Sequence, residues 1–213
     1  MMDSDVLAAV CARRIIPVVV LEEAGDAPPL ARALRDGGLP VAEVTFRTAA
    51  APAALRALAA EGDILVGAGT VVRPDQVDVA VDAGARFIVT PGLSSRVMAR
   101  CRDLGVPVVP GVATATEVMA ALDLGCELLK FFPAATSGGV AALRALGGPF
   151  PDTRFVPTGG ITAANAGDYL ALSSVVAVGG SWMVAPNLIA AGDFAAIARL
   201  AAEAVGGAAP VSA

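Results

Sequence analysis

The feature that most constrains this chain is an alternation running from one end to the other. Short β-rich runs trade places with Ala-rich stretches of helical period, and Gly or Pro marks nearly every junction. The β-rich runs fall at residues 15–21, 41–46, 64–67, 87–89, 106–109, 128–132, 154–157 and 175–178. Each but the last leads through a short loop into an amphipathic stretch, at 28–35, 52–60, 74–83, 95–104, 116–124, 139–145 and 163–170. The last run is followed, beyond residues 182–192, by a helical pattern over 193–205.

Eight such units with no long linker predict an α/β fold, a single closed (β/α)8 TIM barrel with a short extra N-terminal helix ahead of the first strand. An open doubly wound sheet is the competing arrangement. It usually shows fewer strands and one dinucleotide fingerprint, and no GxGxxG occurs here. The 213 residues fit one domain over 1–213, with residues 207–213 expected as a frayed tail.

Although 56% of the residues are hydrophobic, Ala and Val dominate that figure, and charged or Gly/Pro positions interrupt every apolar run before about 18 residues accumulate. A soluble protein with no membrane partner is expected. The first residues place Asp3 and Asp5 ahead of a short apolar stretch and Arg13-Arg14 after it, the wrong order for a secretory signal. A net charge of -5, with no clustered cations, argues against nucleic acid. The three cysteines, Cys11, Cys101 and Cys126, are scattered through apolar helical contexts and read as small buried thiols in a reducing cytoplasm.

Two features of the side-chain inventory bear on chemistry. Histidine is absent, which removes the commonest general base and the commonest metal ligand. Of 15 basic residues, every one is Arg except Lys130, which lies inside Leu128-Leu129-Lys130-Phe131-Phe132. A chain that uses Arg wherever a cation will do keeps a lysine where arginine cannot perform the task. Among apolar neighbours an ammonium loses hydration, which favours the free amine that attacks a carbonyl, so Lys130 is a Schiff-base candidate. A lysine reaching solvent from a strand end is the plainer reading.

On the second run, period-2 alternation puts Val41, Glu43, Thr45 and Arg47 on one side and Ala42, Val44 and Phe46 on the other. Glu43 then lies in the interior below Arg47 at the mouth. It is the candidate proton shuttle, or else half of a structural ion pair with an Arg. Arg47 and Thr70 fall at strand ends, where a guanidinium and a hydroxyl can grip a carboxylate; alone, they read as a solvated loop residue and a helix cap. Gly159, Gly160, Gly179, Gly180 and Ser181 follow the last two strands, where backbone N–H groups can hold a phosphate, although a lone Gly-Gly is ordinary turn chemistry. Phe131 and Trp182 are expected in the core.

In these residues the chain resembles the 2-keto-3-deoxy-6-phosphogluconate (KDPG) and 4-hydroxy-2-oxoglutarate (KHG) aldolases. The matching segments are GluValThrPheArgThr at 43–48, GlyAlaGlyThrVal at 67–71, ThrProGly at 90–92, ProGly at 110–111, LysPhePheProAla at 130–134, GlyGlyVal at 138–140, ProThrGlyGlyIle at 157–161 and GlyGlySerTrp at 179–182. They run in order over nearly the whole chain. The resemblance implies a class I aldolase that cleaves the phosphorylated sugar acid to pyruvate and D-glyceraldehyde 3-phosphate. Lys130 would form the imine, Glu43 would move protons, and Arg47 with Thr70 would hold the pyruvate carboxylate. Pro91 and Phe132 would line the pyruvate pocket, and Thr158 would lie between it and a phosphate site at Gly159, Gly160, Gly179, Gly180 and Ser181. It also implies no metal, no cofactor and a homotrimer.

Two positions depart from the family pattern. Phe46 stands where Leu is frequent, and Ala113 where a hydroxyl is common, the second bearing on substrate preference. The 2-dehydro-3-deoxy-6-phosphogalactonate epimer or unphosphorylated 4-hydroxy-2-oxoglutarate is the alternative substrate. A non-catalytic sugar-phosphate-binding barrel, or an isomerase using Glu43 without an imine, is the alternative of another class.

Overall fold

The computed structural model describes residues 3–208. Helix α1 (Asp3–Cys11) precedes strands β1 (Ile15–Val19), β2 (Val41–Thr45), β3 (Leu65–Gly69), β4 (Ile88–Val89), β5 (Val108–Val109), β6 (Gly111–Val112), β7 (Leu128–Phe131), β8 (Arg154–Pro157) and β9 (Val178–Gly180). Every ladder is parallel. Six strands run in the order β5-β4-β3-β2-β1-β9 and three in the order β6-β7-β8. The result is an α/β fold whose parallel sheet curls around an interior.

Helices between the strands cover its outer face: α2 (Ala27–Asp36), α3 (Ala51–Ala60), α4 (Pro74–Asp82), α5 (Ser95–Asp103), α6 (Ala115–Asp123), α7 (Gly139–Gly147) and α8 (Ala166–Leu170), then α9 (Pro186–Ala190) and α10 (Phe194–Ala208). Local chemistry sets several starts. Pro occupies the first turn of α2, α3 and α4, where its missing N–H is no loss. Ser94 accepts the Val97 N–H ahead of α5. Thr114 and Glu117 exchange hydrogen bonds in a capping box ahead of α6.

Two corrections to the expected strands follow from the pairing. The fifth run, expected over 106–109, is strand only at Val108 and Val109, and the strand resumes past Pro110 as β6, because proline has no N–H to give a ladder; its carbonyl still accepts the Lys130 N–H at 2.8 Å. The last strand lies later than 175–178. Val175 makes only an isolated bridge to Phe155, and the ladder with β1 runs through Val178, Gly179 and Gly180. Glycines that read as turn in isolation are strand here because burial between neighbours outweighs propensity. At the far end Gly207 and Ala208 belong to α10 rather than to a frayed tail, and positions 209–213 lie outside the described residues.

Side-chain alternation separates two apolar clusters. The larger lies between sheet and helices and takes Ala42, Val44, Leu129, Phe131 and Phe155 from the strands. The smaller fills the interior with Ile16, Val41, Phe87, Val89, Val109 and Val156. Val6 and Val10, one helical turn apart on α1, join this inner cluster, so α1 closes the N-terminal end of the strands. Among the described residues no helix is long and apolar enough to cross a membrane.

Candidate active site

Above the inner apolar layer the strands carry polar side chains. On β2, Val41 belongs to that layer, Glu43 comes next, Thr45 donates its hydroxyl to the Val19 carbonyl at 2.9 Å, and Arg47 reaches the exposed rim. On β7, Lys130 points inward between the outward Leu129 and Phe131. Lys130 Nζ donates to Glu43 Oε1 at 3.1 Å, and the two residues are only 5% and 3% exposed. The Phe132 ring lies 5.2 Å from Nζ, within reach of a cation–π contact. The buried partner of Glu43 is therefore this lysine rather than an arginine, and Lys130 does not extend to solvent.

Strands lacking side chains make the room. A Cβ at Gly69 would overlap the Glu43 carboxylate, and one at Gly179 would overlap the Thr158 hydroxyl. Gly159 and Gly160 take φ of 97° and 76°, a left-handed pair that glycine enters without steric penalty. Their loop lies against Phe132 and Ala135.

All twelve residues expected from the sequence line one cavity of about 390 Å³: Glu43, Arg47, Thr70, Pro91, Lys130, Phe132, Thr158, Gly159, Gly160, Gly179, Gly180 and Ser181. The volume falls within the ~300–1,000 Å³ range of small-molecule sites. Arg47 is in no ion pair among the described residues, so its guanidinium is free for an anionic group. Thr70 is not the cap of α4. Gln76 accepts the Val72 and Arg73 N–H groups there, and Thr70 instead holds a positive φ of 59°. Sequence reasoning missed the apolar wall formed by Val18, Val20, Ile161, Val184 and Pro186. Period-2 alternation from Ile16 would have found Val18 and Val20; Ile161, Val184 and Pro186 lie past the ends of β8 and β9 and carry no strand period.

The cysteines divide. Cys101 is fully buried, whereas Cys11 and Cys126 are half-buried. Burial pushes the Cys101 thiol up to about 12, with Cys126 adding to it, and the Cys11 thiol to about 11.

A buried amine against a buried carboxylate, under a cavity with a free guanidinium at its rim, is on this parallel α/β scaffold the equipment of a lysine-dependent carbonyl lyase. The chain belongs to the KDPG and KHG aldolase family, whose sequence model matches residues 6–200. It is 50% identical over 191 residues to the 2-dehydro-3-deoxy-phosphogluconate aldolase of Treponema pallidum (strain Nichols), spanning 89% of this chain and 91% of that one. Among solved structures it is similar to the KDPG aldolase of Legionella pneumophila with pyruvate captured as a covalent carbinolamine intermediate. There the TM-score is 0.89 at 44% identity, over 92% of this chain and 96% of that one. It is equally similar to the 2-keto-3-deoxy-6-phosphogluconate aldolase of Zymomonas mobilis ZM4 with 3-phosphoglycerate, with a TM-score of 0.89 at 41% identity over 95% and 96% of the two chains.

Proposed function

We propose that this chain is a class I aldolase that cleaves 2-dehydro-3-deoxy-6-phosphogluconate to pyruvate and D-glyceraldehyde 3-phosphate through an imine on Lys130. The observation that carries this reading is the 3.1 Å contact between Lys130 Nζ and Glu43 Oε1 at the foot of the cavity. Proton transfer across that contact yields the free amine and a carboxylic acid. The amine attacks the substrate C2 carbonyl, Glu43 returns a proton so that the carbinolamine hydroxyl leaves as water, and a protonated imine remains.

Glu43, again a carboxylate, takes the proton from the C4 hydroxyl. The C3–C4 bond breaks with its electron pair drawn into the imine, and the aldehyde departs. Protonation of the enamine at C3 and addition of water release pyruvate and restore Lys130. The imine nitrogen is the electron sink, so the step needs no metal and no cofactor. Arg47 and Thr70 hold the C1 carboxylate, and Pro91 and Phe132 pack the pyruvate portion. Thr158 lies between the two product halves, with Gly159, Gly160, Gly179, Gly180 and Ser181 around the phosphate. The pyruvate carbinolamine in the Legionella relative corresponds to the last adduct of this sequence of steps, formed when water adds to the pyruvate imine.

The same reading takes the nine strands as eight staves of one closed (β/α)8 domain over 1–213, β5 and β6 counting as one. The bridges Phe155–Val175 and Thr158–Gly179 support closure on one seam, and the Lys130 N–H to Pro110 carbonyl bond supports it on the other. The molecule acts as a homotrimer in the cytoplasm. Val79 on α4, Leu104 just past the end of α5 and Met119 on α6, all exposed, suit burial against a second copy, and sedimentation as a monomer would remove the trimer.

Borohydride trapping with pyruvate tests the chemistry. An adduct mapped to Lys130 is expected. A folded sample that binds a sugar phosphate without forming the adduct would leave the isomerase or binding-barrel reading. Turnover of 4-hydroxy-2-oxoglutarate in preference to the phosphorylated substrate would overturn the substrate assignment.

A further inference from the structure

A second cavity, of about 520 Å³, opens at the end of the strands away from the mouth that Arg47 marks, and its volume exceeds that of the candidate active site. It is lined by Leu7 and Cys11 of α1, Met98 of α5, Val108 of β5, Cys126 just ahead of β7 and Leu128 at its start. The turn from α6 into β7 leaves it open: Gly125 has a φ of 83°, and a Cβ there would meet nothing within 4 Å. Leu128 also borders the gap beneath Lys130 and Glu43. That gap is about 10 Å³, barely the size of one water, so no ligand passes between the two sites.

The body of the cavity is apolar, and its charged groups are Arg102, Arg154 and Glu127, all exposed. The Arg154 guanidinium is held by the carbonyls of Pro151 at 3.0 Å and Thr153 at 3.4 Å. Arg102 is in no ion pair among the described residues, and it stands close enough to Cys126 to oppose the upward push of burial on that thiol. Two cations face one acid here, on a chain whose net charge is -5. Apolar walls with a few polar groups at one side are the usual build of a small-molecule site.

We propose that this cavity binds an amphipathic organic monoanion, a medium-chain carboxylate in its simplest form. Its apolar body lies against Val108, Leu128 and Met98, and its carboxylate faces Arg102 and Arg154. The proposal is independent of the aldolase reading, because none of these residues lines the catalytic cavity.

Sodium octanoate is the probe, used on the intact folded protein. Calorimetry should show saturable binding. Over the same concentrations N-ethylmaleimide labelling of Cys11 and Cys126, mapped by peptide, should slow several-fold, and excess pyruvate should leave both readouts unchanged. Arg102→Glu, at an exposed helix end, should weaken binding about tenfold, the scale of one charge-assisted contact. Cys126→Trp should fill the cavity and abolish binding; if that variant does not fold, Arg102→Glu decides the matter alone. Absence of saturable binding, binding indifferent to Arg102→Glu, or displacement of octanoate by pyruvate would each overturn the proposal.

Discussion

Gly69 leaves the space that Glu43 occupies: a Cβ at residue 69 would fall on Cγ, Cδ and Oε1 of the Glu43 side chain. The two residues belong to paired strands, with Glu43 opposite Gly67 and Thr45 opposite Gly69. A methyl group here moves the carboxylate away from Lys130. Gly69→Ala should therefore lower kcat by about 10²-fold or more, the scale of a lost general acid–base group. Overpacking should destabilise the fold by ~1–3 kcal/mol. If kcat holds while only thermal stability falls, Glu43 does not depend on that gap.

The Lys130–Glu43 pair should be worth more intact than halved. Lys130→Met leaves a buried carboxylate without its partner, a loss of about 3–5 kcal/mol. Lys130→Met combined with Glu43→Leu should recover most of that loss in urea unfolding, while neither protein forms an imine. A double variant no more stable than the single would mean that the pair is not the main partner of either charge.

Thr70 is β-branched at φ 59°, a conformation that holds about 1–3 kcal/mol of strain in a non-glycine residue. Thr70→Gly should relieve that strain, leaving stability unchanged or slightly higher, while kcat/KM falls about tenfold from the lost hydroxyl contact. Arg47→Ala should raise KM without touching stability, because that guanidinium is exposed and in no ion pair among the described residues. A marked loss of folding stability in Thr70→Gly would show that the residue is structural.

Cys101 ties stability to alkaline pH. Its thiol is raised from 9.0 to about 12, chiefly by burial and then by Cys126, so above pH 9 the unfolded chain releases a proton that the folded chain retains. The stability present below pH 9 is lost as pH rises toward 12, by up to ~1.4 kcal/mol per pH unit. Urea midpoints of Cys101→Val should fall less steeply than those of the parent between about pH 9 and 10.5. Identical slopes would remove Cys101 from the account.

The parts of the fold legible in the sequence were those governed by a local period. Alternation on β2 placed Glu43 inward and Ala42 and Val44 outward, as the two apolar clusters show. The lone lysine pointed to Lys130 without any three-dimensional information. What stayed hidden depended on partners distant in the chain. Whether Gly179 and Gly180 are turn or strand is decided by β1, and the break at Pro110 shows only once Lys130 lies opposite. The wall at Ile161, Val184 and Pro186, in the segments that follow β8 and β9, and the cavity beside α1, arise from the assembly of separate units.

The single buried lysine also bears on how the protein tolerates its own product. Sugar-phosphate aldehydes condense indiscriminately with amines, the reaction that begins glycation. Every exposed basic side chain here is a guanidinium, protonated at neutral pH and without the lone pair that such condensation needs. The exposed side chains thus offer no lysine amine to the aldehyde that the interior releases, and the one lysine able to capture a carbonyl is held where the productive reaction takes place.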